Sequence, residues 1–506
     1  AGLSNDVLPG NGGLDLNYPT LFTTDLVGSA GRNFVFGNSD LSDYRYDNTG
    51  FTGTSGATPI ISGLVALMLS ARPELSYRDV QQALLLSAQH FDREDPLLVQ
   101  NGAGLEVSLN LGFGVPHAGL AVALAQAWKP RGQAQTTSVV ATPNLLIPDD
   151  GLRVEVSGEG VPAHLMSIPV TSSLGYQAED GTSEYSLTNA AEALSEWQGD
   201  LSGQAVILRR GLNTFAEKIR NMENANPALI IIRDNTGSSD RMIMAGTQRA
   251  YVPAVFMARN AGLELEGLIA TNSSVQVRLA SIKAVVEFDV TEARVCEHVG
   301  LRLQTTHTRR GDLRITLVSP LGTRSALQRP GTDSFAGPVD WTYHTVHSFL
   351  EPSGGRWRLE VTDEEPGNTG MITRAELIVR GLPIVDTDRD GLSDPWEMDK
   401  FGSLDGRASD DLDRDGHSNA LEQLLETDPL TSDSPLRLTI EPWRPGVVRV
   451  SWPGYRGDSY RILTSSNPDG PYVPEAVVSG AFPETEWFKI VAPSTRHYLR
   501  LERLSP

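Results

Sequence analysis

The sequence predicts a multidomain protein in which a partial α/β domain is followed by an α/β insert and by β-sandwich domains. A chain of 506 residues is too long for one hydrophobic core. Its 48 glycines and 31 prolines indicate many turns, and several long stretches alternate apolar and polar residues with the period of β-strands. The 40% hydrophobic and 21% charged residues are typical of folded domains.

The composition also limits the classes of partner. A formal net charge of -21 argues against a nucleic-acid-binding surface and favours cation binding wherever the acidic residues cluster. The only cysteine, Cys296, excludes an internal disulfide. The longest apolar run, 60–69, is interrupted by Ser62 and Gly63, so we expect no membrane span. No signal peptide is recognisable at Ala1, and we expect the true N-terminus to lie outside this sequence.

A possible nucleophile lies just before the apolar run. The segment GTSGATP at 53–59 predicts the start of a buried helix, with Pro59 tolerated in the first turn. A serine here, Ser55, would lie where free N–H groups and the helix dipole stabilise developing negative charge. The alternative is a simple helix cap, since Thr-Ser before an apolar helix is a common N-terminal pattern.

This segment resembles the active-serine segment of subtilisin-like serine proteases, whose pattern is Gly-Thr-Ser-x-Ala-x-Pro before a buried helix. The stretches RPELSYRDVQ at 72–81 and LGFGV at 111–115 resemble the kexin and proprotein-convertase branch of that family. The resemblance implies that residues 1–130 form the C-terminal part of a catalytic domain. Ser55 would then form the acyl-enzyme of an endopeptidase that acts on proteins or peptides.

The remainder of the catalytic triad is not found in this sequence. The family order is Asp, His, Ser, but no histidine precedes Ser55. His90 and His117 follow the serine, and we expect both to be surface or helix-end residues. We therefore expect the chain to be inactive alone. Farther along this segment, Ser76 and Asp79 form a capping-box pattern that predicts a second helix.

Two further modules follow. Residues 155–282 contain short apolar strands alternating with amphipathic helices, and resemble a protease-associated domain, which implies either a role in substrate access or peptide binding, or a spacer. Residues 283–382 predict an antiparallel β-sandwich and resemble the convertase P domain. The segment IPD at 147–149 resembles the usual start of a P domain, so we also consider a start near residue 145. The protease-associated unit would then be an insertion.

Residues 384–436 contain two acidic loops, 386–397 and 411–422, whose spacing matches an EF-hand-type calcium loop with glycine at the sixth position. About half of the net negative charge lies in this region. The loops resemble bacterial thrombospondin-type-3-like repeats, which implies structural Ca²⁺; the alternative is an acidic linker. The predicted ligands are Asp386, Asp388, Asp390, the Leu392 carbonyl, Asp394 and Glu397 in the first loop, and Asp411, Asp413, Asp415, the His417 carbonyl, Asn419 and Glu422 in the second.

Residues 437–506 contain short predicted strands and resemble a small fibronectin type III-like domain. Taken together, the modules predict a secreted, extracellular or cell-surface endopeptidase, and the mixture of domains suggests a bacterial source. The alternative is a pseudoprotease or a calcium-stiffened adhesion protein that binds a cell-surface partner through its C-terminal β domains. Upstream sequence with the family's Asp and His segments would distinguish the two.

Overall fold

The computed structural model describes residues 53–90, 95, 97–129, 131–175, 181, 183–237, 241–247, 252–413, 417–431, 438–444, 447–453, 459–468, 470–479, 484–490 and 497–504. The chain divides into two compact units, which are described separately. Unit 1 contains residues 1–93, 110–132 and 435–506, and unit 2 contains residues 94–109 and 133–434.

The helices of the described residues are α1 (Thr54–Ala71), α2 (Tyr77–Leu86), α3 (Ala118–Ala127), α4 (Phe215–Glu223), α5 (Arg259–Ile269), α6 (Asp394–Lys400) and α7 (Asn419–Leu425). The strands are β1 (Ala88–Gln89), β2 (Val99–Gln100), β3 (Glu106–Val107), β4 (Val115–Pro116), β5 (Gln135–Ala141), β6 (Leu145–Ile147), β7 (Leu152–Ser157), β8 (Ser167–Ser172), β9 (Tyr185–Asn189), β10 (Gln204–Arg209), β11 (Leu229–Arg233), β12 (Ala254–Met257), β13 (Gln276–Ser281), β14 (Ala284–Val290), β15 (Arg294–Thr305), β16 (Leu313–Val318), β17 (Arg324–Gln328), β18 (Trp341–Thr345), β19 (Gly355–Asp363), β20 (Gly370–Pro383), β21 (Thr439–Arg444), β22 (Val447–Pro453), β23 (Ser459–Ser465), β24 (Val473–Ser479), β25 (Glu484–Ile490) and β26 (Tyr498–Leu504).

In unit 1, helix α2 begins with the capping box that the sequence predicts. The Ser76 side chain accepts a hydrogen bond from the Asp79 backbone N–H, and the Asp79 carboxylate accepts one from the Ser76 N–H at 2.9 Å. The same carboxylate accepts a hydrogen bond from the Trp128 indole at 2.8 Å, just beyond the end of α3. Asp79 therefore ties the start of α2 to the end of α3.

The prediction of a buried helix after the serine is wrong for α1. Only Gly56, Leu64 and Met68 of this helix are buried, whereas Leu67 is 57% exposed. The buried side chains pack with residues of α2 and α3 in one small hydrophobic cluster. An apolar run indicates that a helix can be buried on every side, but burial depends on what packs against it.

The C-terminal part of unit 1 contains two three-stranded antiparallel sheets. Their orders are β21-β22-β25 and β24-β23-β26. Four buried residues, Val450, Trp452, Tyr460 and Ile462, form their common hydrophobic cluster. The alternating strands predicted for 437–506 therefore build a small β domain.

In unit 2, the predicted α/β insert is a closed barrel with the strand order β10-β11-β12-β8-β7-β13-β9. Strands β9 to β12 pair in parallel, and the other neighbouring pairs are antiparallel. The parallel strands are almost continuously apolar because helices cover them, and α4 and α5 bury Ile219, Met222 and Leu265 in this way.

The predicted antiparallel sandwich is also present in unit 2. One sheet has the order β14-β19-β16-β17 and the other the order β18-β15-β20-β5, with β6 also paired to β20. Inward-facing residues of both sheets, among them Phe288, Leu301, Trp357 and Leu377, form one core. The first strand begins at Gln135, before the start near 145 that the sequence suggests. The barrel is therefore inserted between β6 and β14.

Candidate active site and calcium loops

Ser55 lies in the first turn of α1 and is exposed. Gly53 precedes the helix with a φ of 77°, a conformation that favours glycine, and its carbonyl accepts hydrogen bonds from Gly56 and Ala57. Within the described residues, the Ser55 hydroxyl has no hydrogen-bond partner. The turn thus presents a serine hydroxyl at the positive end of a helix, and no base contacts this hydroxyl within the described residues.

The first two histidines after the serine differ in where they lie. His117 caps α3, where its Nδ1 accepts a hydrogen bond from the Leu120 N–H at 3.1 Å, as expected of a helix-end residue. His90 is only 2% exposed and follows β1, so the expectation of a surface or helix-end position is wrong for it. His90 directly follows Gln89, which pairs with Val115 of β4, and this pairing with a later segment has no signal in the residues around the histidine.

The first acidic loop brings its carboxylates together. Two overlapping groups have ligand atoms within 4.8 Å of one another: Asp386, Asp388 and Asp394, and Asp388, Asp390 and Glu397. Asp386 also accepts hydrogen bonds from the N–H groups of Arg389 and Gly391, which folds the loop around it. Five of the six residues predicted from spacing therefore converge through their side chains.

Leu392 and Asp394 of this loop differ in their surroundings. Leu392, predicted to contribute only its carbonyl, is fully buried, and its N–H donates to Asp390 at 2.8 Å. Asp394 accepts hydrogen bonds from the N–H and the hydroxyl of Thr387, at 2.8 and 2.6 Å. These bonds lower the pKa of Asp394 and keep it ionised.

The electrostatics of this loop are unfavourable without a cation. Glu397 is fully buried, and neither carboxylate oxygen has a hydrogen-bond partner of normal geometry among the described residues. Burial, and after it the charges of Asp390 and Asp388, raise the pKa of Glu397 to about 7. Burial likewise raises the pKa of Asp390 to about 6. Converging buried carboxylates of this kind are stable when they bind a metal or share protons.

The second acidic loop is described in part. Asp415 lies outside the described residues, while Asp411, Asp413 and His417 are half-buried. Asn419 and Glu422, on α7, are fully buried. The Nδ2 of the Asn419 side chain donates to the Arg407 carbonyl at 2.9 Å. Its Oδ1 has no hydrogen-bond partner in the described part of the chain.

Sequence reasoning missed a set of residues around the hairpin β2–β3. Asn101 is buried, and its Nδ2 donates to the carbonyls of His347 and Phe349, both at 2.9 Å. The buried Glu351 accepts a hydrogen bond from the Gly102 N–H at 2.7 Å. An Asn-Gly pair signals a turn, which could have drawn attention to this position, but its distant partners have no local signal.

Three separate segments of the chain match family models. Residues 29–114 match the Subtilase family, residues 157–265 the PA domain, and residues 296–379 the Proprotein convertase P-domain. The chain fits a kexin-like subtilase with PA and P domains. The subtilase match contains both Ser55 and the hairpin β2–β3, and the P-domain match contains Glu351.

Curated proteins similar to this chain include convertases. Furin of Mus musculus is 43% identical over 104 residues, which are 20% of this chain and 12% of furin. Furin of Homo sapiens is 43% identical over 96 residues, 17% of this chain and 12% of furin. Neuroendocrine convertase 2 of Caenorhabditis elegans is 23% identical over 404 residues, 73% of this chain and 43% of that protein. The chain thus covers a minor part of each relative.

Among solved structures, the serine protease of Aeromonas sobria is 18% identical to this chain, with a TM-score of 0.35. The match covers 68% of this chain and 47% of the Aeromonas protease.

The curated relatives named above are animal proteins, and they do not support the expected bacterial source.

Helix α1 is long and apolar enough to cross a membrane, judged by length and composition, and it is the only such helix in the described residues. The apolar run 60–69 lies within this helix. A single helix of this kind is weak support for a membrane span, because core helices have the same composition.

Proposed function

We propose that this chain carries the nucleophile of a kexin-like serine endopeptidase, with Ser55 forming the acyl-enzyme on a protein or peptide substrate. The observation that supports the proposal is an exposed serine in the first turn of α1, within the segment that matches the subtilase family. The Ser55 Oγ attacks the scissile carbonyl after a histidine base removes its proton, and the N-terminal end of α1 stabilises the negative charge that develops.

The base is expected from outside this sequence. No histidine precedes Ser55 in the chain, and the first histidine after it is buried beside β1. Without a base, the serine hydroxyl is a weak nucleophile. We therefore expect the chain alone to have no peptidase activity.

A fluorophosphonate probe tests both parts of this proposal. The probe is added to this chain, to a longer protein that includes the upstream Asp and His segments, and to the Ser55→Ala variant of each. We expect labelling of the longer protein alone, and loss of that labelling with Ser55→Ala. Labelling of neither wild-type protein would favour the non-catalytic alternative, a pseudoprotease or adhesion protein.

We also propose that the two acidic loops bind Ca²⁺ as structural sites. The supporting observation is the fully buried Glu397 carboxylate, which faces the carboxylates of Asp388 and Asp390. Carboxylate and carbonyl oxygens are the donors that Ca²⁺ prefers, and a glycine at the sixth position gives the sharp turn. Bound Ca²⁺ would supply the positive charge that these carboxylates need.

Calorimetric titration with CaCl₂ tests the sites directly. The unchanged chain should bind Ca²⁺, and Glu397→Gln should remove binding at the first loop because it removes one charge from the buried side chain. Asp399→Asn is the matched control, since Asp399 lies in the same helix, is exposed and pairs with Lys400 instead. Equal binding by the wild type and Glu397→Gln would contradict the assignment.

The proposed location is the secretory pathway or the cell surface. The named relatives are furin and a neuroendocrine convertase, and structural loops of this type fill at the high Ca²⁺ concentration outside cells. A cell-surface partner for the C-terminal β domain is a further part of this proposal. Immunodetection of the tagged protein in medium, on intact cells and in lysate distinguishes these locations, and retention in the cytosol would contradict them.

A further inference from the structure

The turn of the hairpin β2–β3 is held from two sides. On one side, the Gly102 N–H donates to the buried Glu351 carboxylate of the sandwich at 2.7 Å. On the other side, the Ala103 carbonyl accepts a hydrogen bond from the hydroxyl of Ser418 at 2.6 Å. Ser418 is buried and belongs to the second acidic loop. A segment of the subtilase match therefore contacts an acidic loop that lies 315 residues away in the sequence.

The role of Ser418 in its own helix is unusual. It is the N-cap residue of α7, where a serine normally accepts a hydrogen bond from a backbone N–H of the first turn. No such cap bond forms, and the hydroxyl donates to Ala103 instead. The local benefit of a helix cap is thus exchanged for a long-range contact.

The contact is also close in its packing. Gly104 has a φ of +81°, and a Cβ added to it would lie 2.9 Å from the Cβ of Ser418. Only glycine allows this approach without displacing Ser418. The turn and the start of α7 are therefore in close van der Waals contact as well as joined by a hydrogen bond.

The position of Ser418 depends on residues predicted to bind Ca²⁺. Its carbonyl accepts a hydrogen bond from the Glu422 N–H at 2.9 Å, and the next residue, Asn419, donates its N–H to the Asp410 carbonyl at 2.7 Å. Asn419 and Glu422 are the ninth and twelfth residues of the loop. A cation that orders these two side chains also fixes the start of α7.

The two acidic loops are themselves connected. The Gln423 side chain of α7 accepts a hydrogen bond from the Ser393 N–H at 2.6 Å and donates to the Gly391 carbonyl at 3.3 Å. Gly391 in turn lies against Pro352, where an added Cβ would come within 2.8 Å. Pro352 directly follows Glu351. The first loop thus packs beside the residue that holds the other side of the turn.

We propose that Ca²⁺ bound by the acidic loops clamps the Gly102–Gly104 turn of the subtilase segment, through the hydrogen bond from Ser418 to Ala103. The inference rests on the calcium part of the proposed function. It assigns the repeats a second effect beyond their own folding: they make the rigidity of a distant hairpin depend on calcium.

Hydrogen–deuterium exchange of the full chain tests this clamp. The backbone amides of the turn donate hydrogen bonds to Asn101 within the turn and to Glu351 of the sandwich. Their exchange therefore reports opening of the turn. Exchange of the segment 99–107 is measured with saturating CaCl₂ and with a chelator. We expect Ca²⁺ to slow it by roughly three- to tenfold, the factor expected for one buried hydrogen bond.

Two variants decide whether Ser418 carries the effect. In Ser418→Ala, calorimetry should still detect Ca²⁺ binding, while the effect of Ca²⁺ on the segment 99–107 should be largely lost. Ser403→Ala is the matched control, because this serine lies in the same region and its hydroxyl accepts a hydrogen bond from the nearby Asp405 N–H. It should keep the full effect.

The outcomes separate the clamp from calcium binding itself. Ca²⁺ binding by the wild type without slower exchange of the segment 99–107 would overturn the clamp and leave the calcium sites in place. A full calcium effect in Ser418→Ala would also overturn it. Absence of Ca²⁺ binding by calorimetry would remove the calcium proposal and the clamp together.

Discussion

Two parts of the subtilase segment differ sharply in how they are held. Ser55, at the start of α1, is exposed and has no hydrogen-bond partner among the described residues. Asn101, at the turn of the hairpin β2–β3, is 3% exposed and uses both its amide nitrogen and its amide oxygen. A sequence match can therefore identify a chemical group, whereas only the partners of that group show whether it is held in position.

The largest expected effect concerns the exposed end. In the longer protein that supplies the histidine, Ser55→Ala should lower kcat for peptide hydrolysis by about a thousandfold or more, since it removes the nucleophile. Steady-state hydrolysis of a peptide substrate measures this change. Ser62→Ala is the control on the same helix, because its hydroxyl donates to the Thr58 carbonyl, one turn earlier in that helix. Retained activity in Ser55→Ala would show that the exposed serine is not the nucleophile.

The next effect concerns the loops that contact the turn. Combining Asp388→Ala with Asp413→Ala should abolish the thermal stabilisation by Ca²⁺, which for a site at a hundred times its Kd is about 2.7 kcal/mol. Scanning calorimetry with CaCl₂ and with a chelator measures it. Asp399→Ala should behave like the wild type. A calcium-dependent melting shift that stays unchanged in the double variant would contradict the ligand assignment. Only the Glu351 contact from the sandwich would then remain as a proposed support of the turn.

The buried turn at Asn101 predicts a smaller change, in the free energy of unfolding. Asn101→Ala removes two donors to backbone carbonyls and leaves those carbonyls buried, so we expect it to lower the free energy of unfolding by about 2 kcal/mol. Denaturant unfolding followed by fluorescence measures this. Gln100→Ala, the exposed neighbour whose side chain donates to the Gly104 carbonyl, should have an effect below about 0.5 kcal/mol. Equal effects would show that burial of the turn does not matter.

The smallest effect involves pH, at the capping box. Burial alone would raise the pKa of Asp79, but hydrogen bonds from Ser76 and Trp128 outweigh it and leave the pKa below its usual value. Stabilisation by this carboxylate is therefore present above pH about 4 and is lost as the pH falls through the lowered pKa.

Asp79→Asn should consequently lower stability by about 1 kcal/mol at neutral pH, and the difference from the wild type should shrink as the pH falls below about 4. Chemical denaturation at a series of pH values measures it. Ser76→Ala offers a matched comparison that removes one donor and keeps the carboxylate. A difference that grows in acid would mean that the sign of the pKa shift is wrong.

The sequence could predict features whose causes are local. The capping box of α2 needs only Ser76 and Asp79, and the first acidic loop needs only the spacing of its own carboxylates. It could not predict the partners of Asn101, because the acceptor carbonyls lie 246 and 248 residues away. Nor could it predict how much of α1 is covered, since an apolar helix does not specify what packs on it.

The insertion of the barrel has a consequence for synthesis on the ribosome. Strands β5 and β6 emerge first, but their sheet partner is β20, so they must wait for the whole barrel and most of the sandwich. The barrel has cores of its own and can fold during this delay. Limited proteolysis of nascent chains halted just after residue 290 has left the exit tunnel should therefore find the barrel protected and β5 still open. Since Asp386 follows β20 by only a few residues, we expect the sandwich to close as the first proposed calcium ligand leaves the exit tunnel.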